Sequence, residues 1–447
     1  MDRILFVSAD GHTTAPPETF RPYMEARYRS WIDDALQREN ENFTRFTGAI
    51  SNPPPEVLEA IDERRAMRSG GLLGSYDVGR RLAEMDQEGV AAEILIYGTQ
   101  LATVPFFGVQ NGPYPADVRF AGVQAYHRWV ADCMAEADGR LFGLADPGPC
   151  LDMDGTVEEL EWVAAHGFRS IAVPGIISDP ALPPLYDPYY EPFWRACAEH
   201  GMVLSVHAGH GYPQGHMLGF IERITVGKTQ EEIIAAMVSG VEGSPFELDL
   251  IPRQVMWSLM LGGVFDRHPG LQLALTEVRA DWVPATLDLL DARFEQGGTP
   301  LARKPSEYWE QNCWAAVSSI KHSEVRLRAE IGIDRMMFGR DYPHFEGTWP
   351  NTWDWIRDTL RDVPEDELRL LLGENAVRCY GLDREKLAAV AERIGPRPSD
   401  LLGEHHVDPR VVANLHIRGG GTTSYEQIDR AEVSGLFEED LAGVTGR

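Results

Sequence analysis

The chain predicts an α/β fold: a (β/α)8 (TIM) barrel with long insertions after strands one and five and a C-terminal extension. Three observations carry this. Eight short apolar runs of strand character are spread along the chain, helical patterns lie between most of them, and polar residues stand where several runs end, as in VSADGH, LSVHAG, LALTEV and MFGRDYPH. Strands that alternate with helices build a parallel sheet, and eight such units close into a barrel whose chemistry gathers at the C-terminal ends of the strands.

The strands are expected at ILFVSA (4–9), AEILIY (92–97), LFGLAD (141–146), FRSIAV (168–173), MVLSVH (202–207), LQLALT (271–276), NCWAAV (312–317) and RMMFGR (335–340). Several are nearly continuous in apolar residues, as required when both faces of a parallel strand are covered. Helical patterns run from Tyr76 to Glu88, Gln124 to Ala137, Met153 to His166, Tyr189 to Glu199, Trp282 to Glu295 and Ser323 to Ile331. Two connections exceed an ordinary loop. Residues 13–75 hold a helical stretch around Tyr23 to Leu36, an Asn52-Pro53-Pro54-Pro55 break and a second helix from Glu56 to Met67. Residues 208–258 run through HAGHGYPQGH and then EEIIAAMVSG and IPRQVMWSLMLGGVF. Both follow strand ends, so both cover the catalytic face or form an oligomer contact. The barrel therefore occupies residues 1–383. Residues 384–447, with the break IGPRPSD and a Gly419-Gly420-Gly421 run, form an extension that wraps its own barrel or a neighbour's, and its His405, His406 and His416 read as surface residues of a polar tail.

Composition narrows the function. With 41 basic against 69 acidic residues among 447 the formal net charge is −28, which repels nucleic-acid phosphates and anionic lipid. No apolar run approaches the ~20 residues of a membrane span, and the acidic start MDRILFVSADGH lacks a signal-peptide pattern. A cytoplasmic protein acting on a small molecule is expected, as a homodimer. The five cysteines, Cys133, Cys150, Cys197, Cys313 and Cys379, are scattered without C-x-x-C spacing and fit reduced thiols; Cys313, the one nearest the strand ends, reads as a small buried hydrophobe.

The strand ends point to a metal centre. Asp10 and His12, two residues apart on an extended strand, offer a carboxylate and an imidazole to one side; His207 adds an imidazole from strand five, and Asp341 a carboxylate from strand eight beside them in the closed ring. Any one of these alone is explained by capping or packing, but four at barrel-strand ends are a ligand set. Glu277 ends strand six, where it ligates, acts on protons, or pairs with Arg279. His210, His216, His344 and Glu346 lie just beyond the ligands as candidate substrate contacts, with Phe106, Phe107, Tyr114, Trp257 and Trp349 as candidate pocket aromatics.

These stretches, with RRLAEMDQEGVAAEILI, GGVFDRHPGLQLALTEVRADWVP and ENAVRCYGL, resemble the amidohydrolase superfamily, in the branch of aminocarboxymuconate semialdehyde decarboxylase and the resorcylate-type decarboxylases, over about residues 1–383. The resemblance implies one divalent ion, commonly zinc or manganese, held by Asp10, His12, His207 and Asp341. The chain departs twice: Asp-x-His replaces the His-x-His or Glu-x-His frequent in relatives, and Glu277 stands where decarboxylating relatives place a His. Zinc leads, and the harder, carboxylate-rich set admits manganese, iron or magnesium.

Because that His is missing, the leading expectation is hydrolysis of a C–N or C–O bond by metal-activated water, with Asp341 or Glu277 relaying the proton. The alternative is non-oxidative decarboxylation of an aromatic or enoic acid, its charge met by Arg253, Arg279 or Arg340. An empty metal site would point instead to a barrel that binds ligand without turnover.

Overall fold

In a computed structural model of the chain, the described residues are 2–37, 59, 62, 71–98, 106, 114–213, 216–229, 231–233, 250–344, 346–418 and 425–446. The expected Glu56 to Met67 helix, apart from Glu59 and Asp62, the EEIIAAMVSG helix after Ile233, the triple-glycine run and Phe107 lie outside them.

Eight strands form one sheet: β1 (Val7–Thr13), β2 (Ala92–Tyr97), β3 (Leu141–Ala145), β4 (Ser170–Ala172), β5 (Val203–His207), β6 (Leu273–Thr276), β7 (Cys313–Ser318) and β8 (Met336–Gly339). Every neighbouring pair is parallel. A parallel bridge between Gly11 and Tyr342 closes the ring, and there the Asp341 N–H donates to the Asp10 carbonyl at 3.1 Å. The barrel is thus as expected, and each of the eight apolar runs overlaps its strand.

Side-chain alternation divides the wall into two cores. Val203, Ala274, Trp314, Ala316 and Met337 pack together inside the barrel, while Leu204, Leu275, Ala315, Val317 and Phe338, one residue out of step, pack outward against the helices. The inward parity continues to His207 on β5, Ser318 on β7 and the position of Asp341 beyond β8. β1 breaks its own parity. Its register with β2 shifts between Ser8 and Gly11, a bulge that inserts one residue. Val7 and Ala9 belong to the inner core below the bulge, and Asp10 and His12 gain the inward direction above it. Asp10 and His12 share one side of the strand, as alternation predicts; the bulge decides that this side is the inner one, and both residues lie within the strand instead of after its end.

Helices α1 (Val78–Glu88), α2 (Ala116–Glu136), α3 (Met153–Ala165), α4 (Glu191–His200), α5 (Leu250–Leu261), α6 (Val283–Glu295), α7 (His322–Arg326) and α8 (Thr352–Thr359) follow successive strands. Asp77 and Asp152 cap α1 and α3 by accepting from Arg80 N and Gly155 N. The expected helix from Ser323 to Ile331 is interrupted at Leu327 and resumes as Arg328–Ile331. The expected stretch around Tyr23 to Leu36 becomes two 3-10 turns, Pro17–Phe20 and Ala26–Tyr28, before a helix at Ser30–Gln37.

The extension lies on this barrel. Its α9 (Arg384–Ile394) meets α1, α10 (Pro409–Arg418) meets α8, and α11 (Arg430–Thr445) packs against α5 and α6. Asp440 of α11 accepts from the Trp257 indole N–H at 3.0 Å and the Ser258 hydroxyl at 2.8 Å, with Gln254 alongside. Trp257 is therefore a core residue that receives the extension, not a pocket aromatic. Trp349 is likewise buried behind the site, edge-on to Tyr342 and donating to Glu84 at 3.3 Å. Phe106 and Tyr114 pack on one another, ring centres 5.0 Å apart.

Candidate metal centre

The mouth of the barrel brings the four expected ligands together. His12 Nε2 lies 3.5 Å from Asp10 Oδ1 and 3.3 Å from Asp341 Oδ1. His207 Nε2 lies 3.9 Å from the same Asp10 oxygen and 3.2 Å from Glu277 Oε2. Asp10, His12 and Asp341 are buried, and Asp10 Oδ1, His12 Nε2, His207 Nε2 and Asp341 Oδ1 have no hydrogen-bond partner among the described residues. Buried polar atoms normally find partners, because an orphan costs about 1–3 kcal/mol. Asp10, His12, His207 and Glu277 each bring a ligand atom within 4.8 Å of the others, while Asp341 forms a second such group with His12 and His344, and imidazole nitrogens and carboxylate oxygens gathered in this way fit a divalent cation.

Outer contacts fix these atoms. The His207 Nδ1–H donates to the Ala208 carbonyl at 3.0 Å, which leaves Nε2 its lone pair. The Ser318 hydroxyl donates to Asp10 Oδ2 and leaves Oδ1 for the centre. Glu277 and Asp341 have φ of 57° and 54°, left-handed backbone that costs a non-glycine residue about 1–3 kcal/mol. That turn at the end of a strand sends each carboxyl back over the barrel mouth.

His344 joins the cluster. Its ring stacks on His12 with centres 3.8 Å apart, and its Nδ1 is 3.1 Å from Asp341 Oδ1 and 3.4 Å from Glu346 Oε1. Burial pulls the His344 imidazolium down, but Asp341 and Glu346 more than offset it and hold the group well above its ordinary range. Burial, with the neighbouring His344 charge, keeps His12 well below its own and therefore neutral, as a ligand must be. Asp10 is raised by burial against the pull of His12. Burial, then the charges of Asp341, Asp10 and Glu346, hold Glu277 well above the carboxylate range.

The other expected contacts are placed differently. His210 is buried, with its Nδ1 unpartnered among the described residues, and burial lowers it to about 4. The side chain of His216 lies outside the described residues. Arg253 is buried with its guanidinium over Trp282 at 4.8 Å and over Tyr425 of the extension at 5.1 Å. Arg279 turns to Asp281 at 3.0 Å and Glu324 at 3.5 Å, where a pair with Glu277 had been one expectation. Arg340 is corrected outright. Its parity on β8 is outward, and it is consumed behind the wall by Glu93 at 2.8 Å and Glu88 at 2.9 Å, so it does not meet a substrate acid. Arg81 completes that buried network at 2.8 Å from Glu93. Cys313 is buried and its thiol is pushed up by burial, which removes it as a nucleophile.

Sequence reasoning missed Ser318 and Lys321. Nothing local distinguishes Ser318; it matters because parity turns it inward beside Asp10. Lys321 is buried, lowered to about 8 by burial and Arg279, and feels the charges of Glu277 and Asp341.

Residues 97–382 match the amidohydrolase family. The chain is 26% identical over 273 residues to the gamma-resorcylate decarboxylase of Rhodococcus jostii (strain RHA1), covering 57% of this chain and 75% of that protein. Among solved structures it is similar to the 5-carboxyvanillate decarboxylase from Sphingomonas paucimobilis, with a TM-score of 0.56 at 22% identity over 86% of this chain and 100% of that one. It is also similar to the Novosphingobium aromaticivorans 5-carboxyvanillate decarboxylase complexed with manganese and 4-hydroxy-3-methoxy-5-nitrobenzoic acid, with a TM-score of 0.56 at 20% identity over 85% and 96% of the two chains. At those identities the two structures support the barrel fold and nothing finer. With the family match spanning more than half its length over this barrel, the chain belongs to the amidohydrolase family.

Proposed function

We propose that the protein is a metal-dependent, non-oxidative decarboxylase of an aromatic carboxylic acid, with a hydroxybenzoate as the substrate class. The observation that carries this reading is the 26% identity over 273 residues to a resorcylate decarboxylase. The hydrolytic expectation rested on the absence of a strand-six His, and the surroundings of Glu277 weaken that objection. Burial, then the charges of Asp341, Asp10 and Glu346, push the Glu277 carboxyl up, the direction needed by a group that is to supply the proton an imidazolium would otherwise give.

Asp10, His12, His207 and Asp341 would hold the cation, and their orphaned atoms supply the fit. Two carboxylates with two imidazoles suit manganese as well as zinc, and manganese is the ion named with the Novosphingobium enzyme. When bound, the ion would supply a Lewis acid that neutralises the substrate's carboxylate and adjacent phenolic oxygen.

The protein's own groups complete the reaction. Glu277, whose Oε2 sits 3.2 Å from His207 Nε2, gives its proton to the ring carbon that bears the carboxylate. The bond to that carboxylate then breaks, its electron pair restores the aromatic ring, and carbon dioxide leaves. His344 and Glu346 orient Asp341 against His12, which fixes the floor on which the acid is read. Glu277 recovers its proton from solvent, and no oxidant enters.

The test is incubation of manganese-loaded and zinc-loaded protein with 2,6-dihydroxybenzoate and 5-carboxyvanillate, with headspace carbon dioxide and the decarboxylated phenol both measured. Equimolar release of the two supports the reading. Hydrolysis of amide or ester substrates by the same preparations, without carbon dioxide from either acid, would return the hydrolytic one.

A further inference from the structure

We propose a second divalent-metal site, made by His322, Asp358 and His416, that clips the C-terminal extension to the catalytic end of the barrel. His322 opens α7, four residues beyond the Ser318 that holds Asp10; Asp358 lies near the end of α8; His416 comes from α10 of the extension. Among the described residues, the three elements bring potential ligands together here. His322 Nε2 is 3.0 Å and His416 Nε2 3.6 Å from one oxygen, Asp358 Oδ2. One ligand atom from each residue lies within 4.8 Å of the others.

An ordinary hydrogen-bonded cluster explains half of this. The His322 contact is a good hydrogen bond, and it helps hold Asp358 below its ordinary range. The His416 contact is too long for one, yet its Nε2 is aimed at the oxygen already used. The ring is held in that pose by Trp355, whose ring centre is 4.7 Å away at a steep angle. Its other nitrogen, Nδ1, is buried without a hydrogen-bond partner among the described residues. The two imidazole planes lie 23° apart with centres 5.9 Å from each other and the carboxylate between them. Two imidazoles and one carboxylate are a familiar three-ligand zinc set that leaves one position for water, and they favour zinc over magnesium or calcium. His322 is half exposed and provides the way in.

Such a clip has a structural job. α10 packs on α8 and buries Val411 and Leu415 in the outer core, and the ligand from α7 belongs to the connection that follows β7. An ion there would join the extension to the rim that carries Ser318 and Lys321, outside the catalytic cluster. It would add stability by mass action, because the unfolded chain does not bring the three residues together.

The experiment uses zinc alone as the probe. Full-length protein is stripped with chelator, reloaded with zinc, desalted and assayed for metal per chain. Wild type should retain two equivalents, and His322→Ala and His416→Ala one each, with turnover preserved. His207→Ala should also retain one, which the His207→Ala/His322→Ala double variant loses. Zinc should raise the Tm of His207→Ala and leave that of the double variant unmoved. His322 is exposed, so its replacement keeps the test valid if His416→Ala folds poorly. Equal zinc content in wild type and His322→Ala, or none in His207→Ala, overturns the proposal.

Discussion

The backbone N–H of Asp341 donates to the carbonyl of Asp10 at 3.1 Å, so the two acids that flank His12 are bonded neighbours across the seam where the last strand meets the first. The candidate centre is therefore built on the closure of the barrel. Its geometry depends on whatever keeps β1 and β8 in register.

Ser318 is one such support. Its hydroxyl satisfies one Asp10 oxygen and leaves the other for the centre. Ser318→Ala should weaken apparent metal affinity by about 10–100-fold, as loss of an outer partner does, with kcat recovering at saturating manganese. Titration of activity against free metal checks this. A fall in kcat that excess metal does not restore would assign Ser318 to the chemistry itself.

Glu277→Gln separates proton donation from ligation. The amide keeps the shape and loses the proton, so kcat should fall by about 10²–10⁴-fold while metal content stays at the wild-type level. Metal analysis beside steady-state kinetics gives both readings. Loss of the ion together with activity would make Glu277 a ligand.

The buried Glu93 network should shape acid stability. Burial alone would raise Glu93, but Arg340 and Arg81 more than offset it and hold the carboxyl below its ordinary range. A depressed acid contributes stability that is present above its unfolded value, about 4.3, and is lost as pH falls through the lower folded value. Wild-type Tm should therefore drop below about pH 4. Glu93→Gln should lose about 3–5 kcal/mol at neutral pH, since two arginines are left partly unpaired in the wall, and should show a shallower acid limb in thermal melts from pH 3 to 7.

Gly339 marks how tightly the seam is packed. A Cβ there would come within 2.6 Å of Asp10 Cβ and 3.0 Å of Ser318 Oγ. Gly339→Ala should cost about 1–3 kcal/mol by overpacking and should also lower metal affinity, because Asp10 is what must move. Denaturant melts with and without manganese test the pair of effects. A variant that is destabilised yet binds metal as tightly as wild type would show that Asp10 is free to adjust.

Much of this was legible in the chain. Continuous apolar runs mark strands covered on both faces, and Asp10, His12, His207, Glu277 and Asp341 stand at the ends of those runs, all at one rim. What escaped depends on partners remote in sequence. The β1 bulge leaves no local trace, since VSADGH reads as a regular strand until β2 is laid beside it. Arg340 looks like a site residue because it precedes Asp341, and only the parity of β8 sends it outward to Glu93. The Glu in AEILIY is the one visible sign of that network, an acid in an apolar strand that must have a cation to meet. His416 resembles any tail histidine until α10 docks beside α8.

The seam also sets when the protein becomes competent during its own synthesis. Ser8 and Arg340, bonded across it, are 332 residues apart in sequence. While the ribosome is still making the intervening strands, Asp10 and His12 have no Asp341 to face. A centre built on this seam would be complete only once the barrel can close, and a truncated product that ends before β8 would lack both Asp341 and the Gly11–Tyr342 bridge.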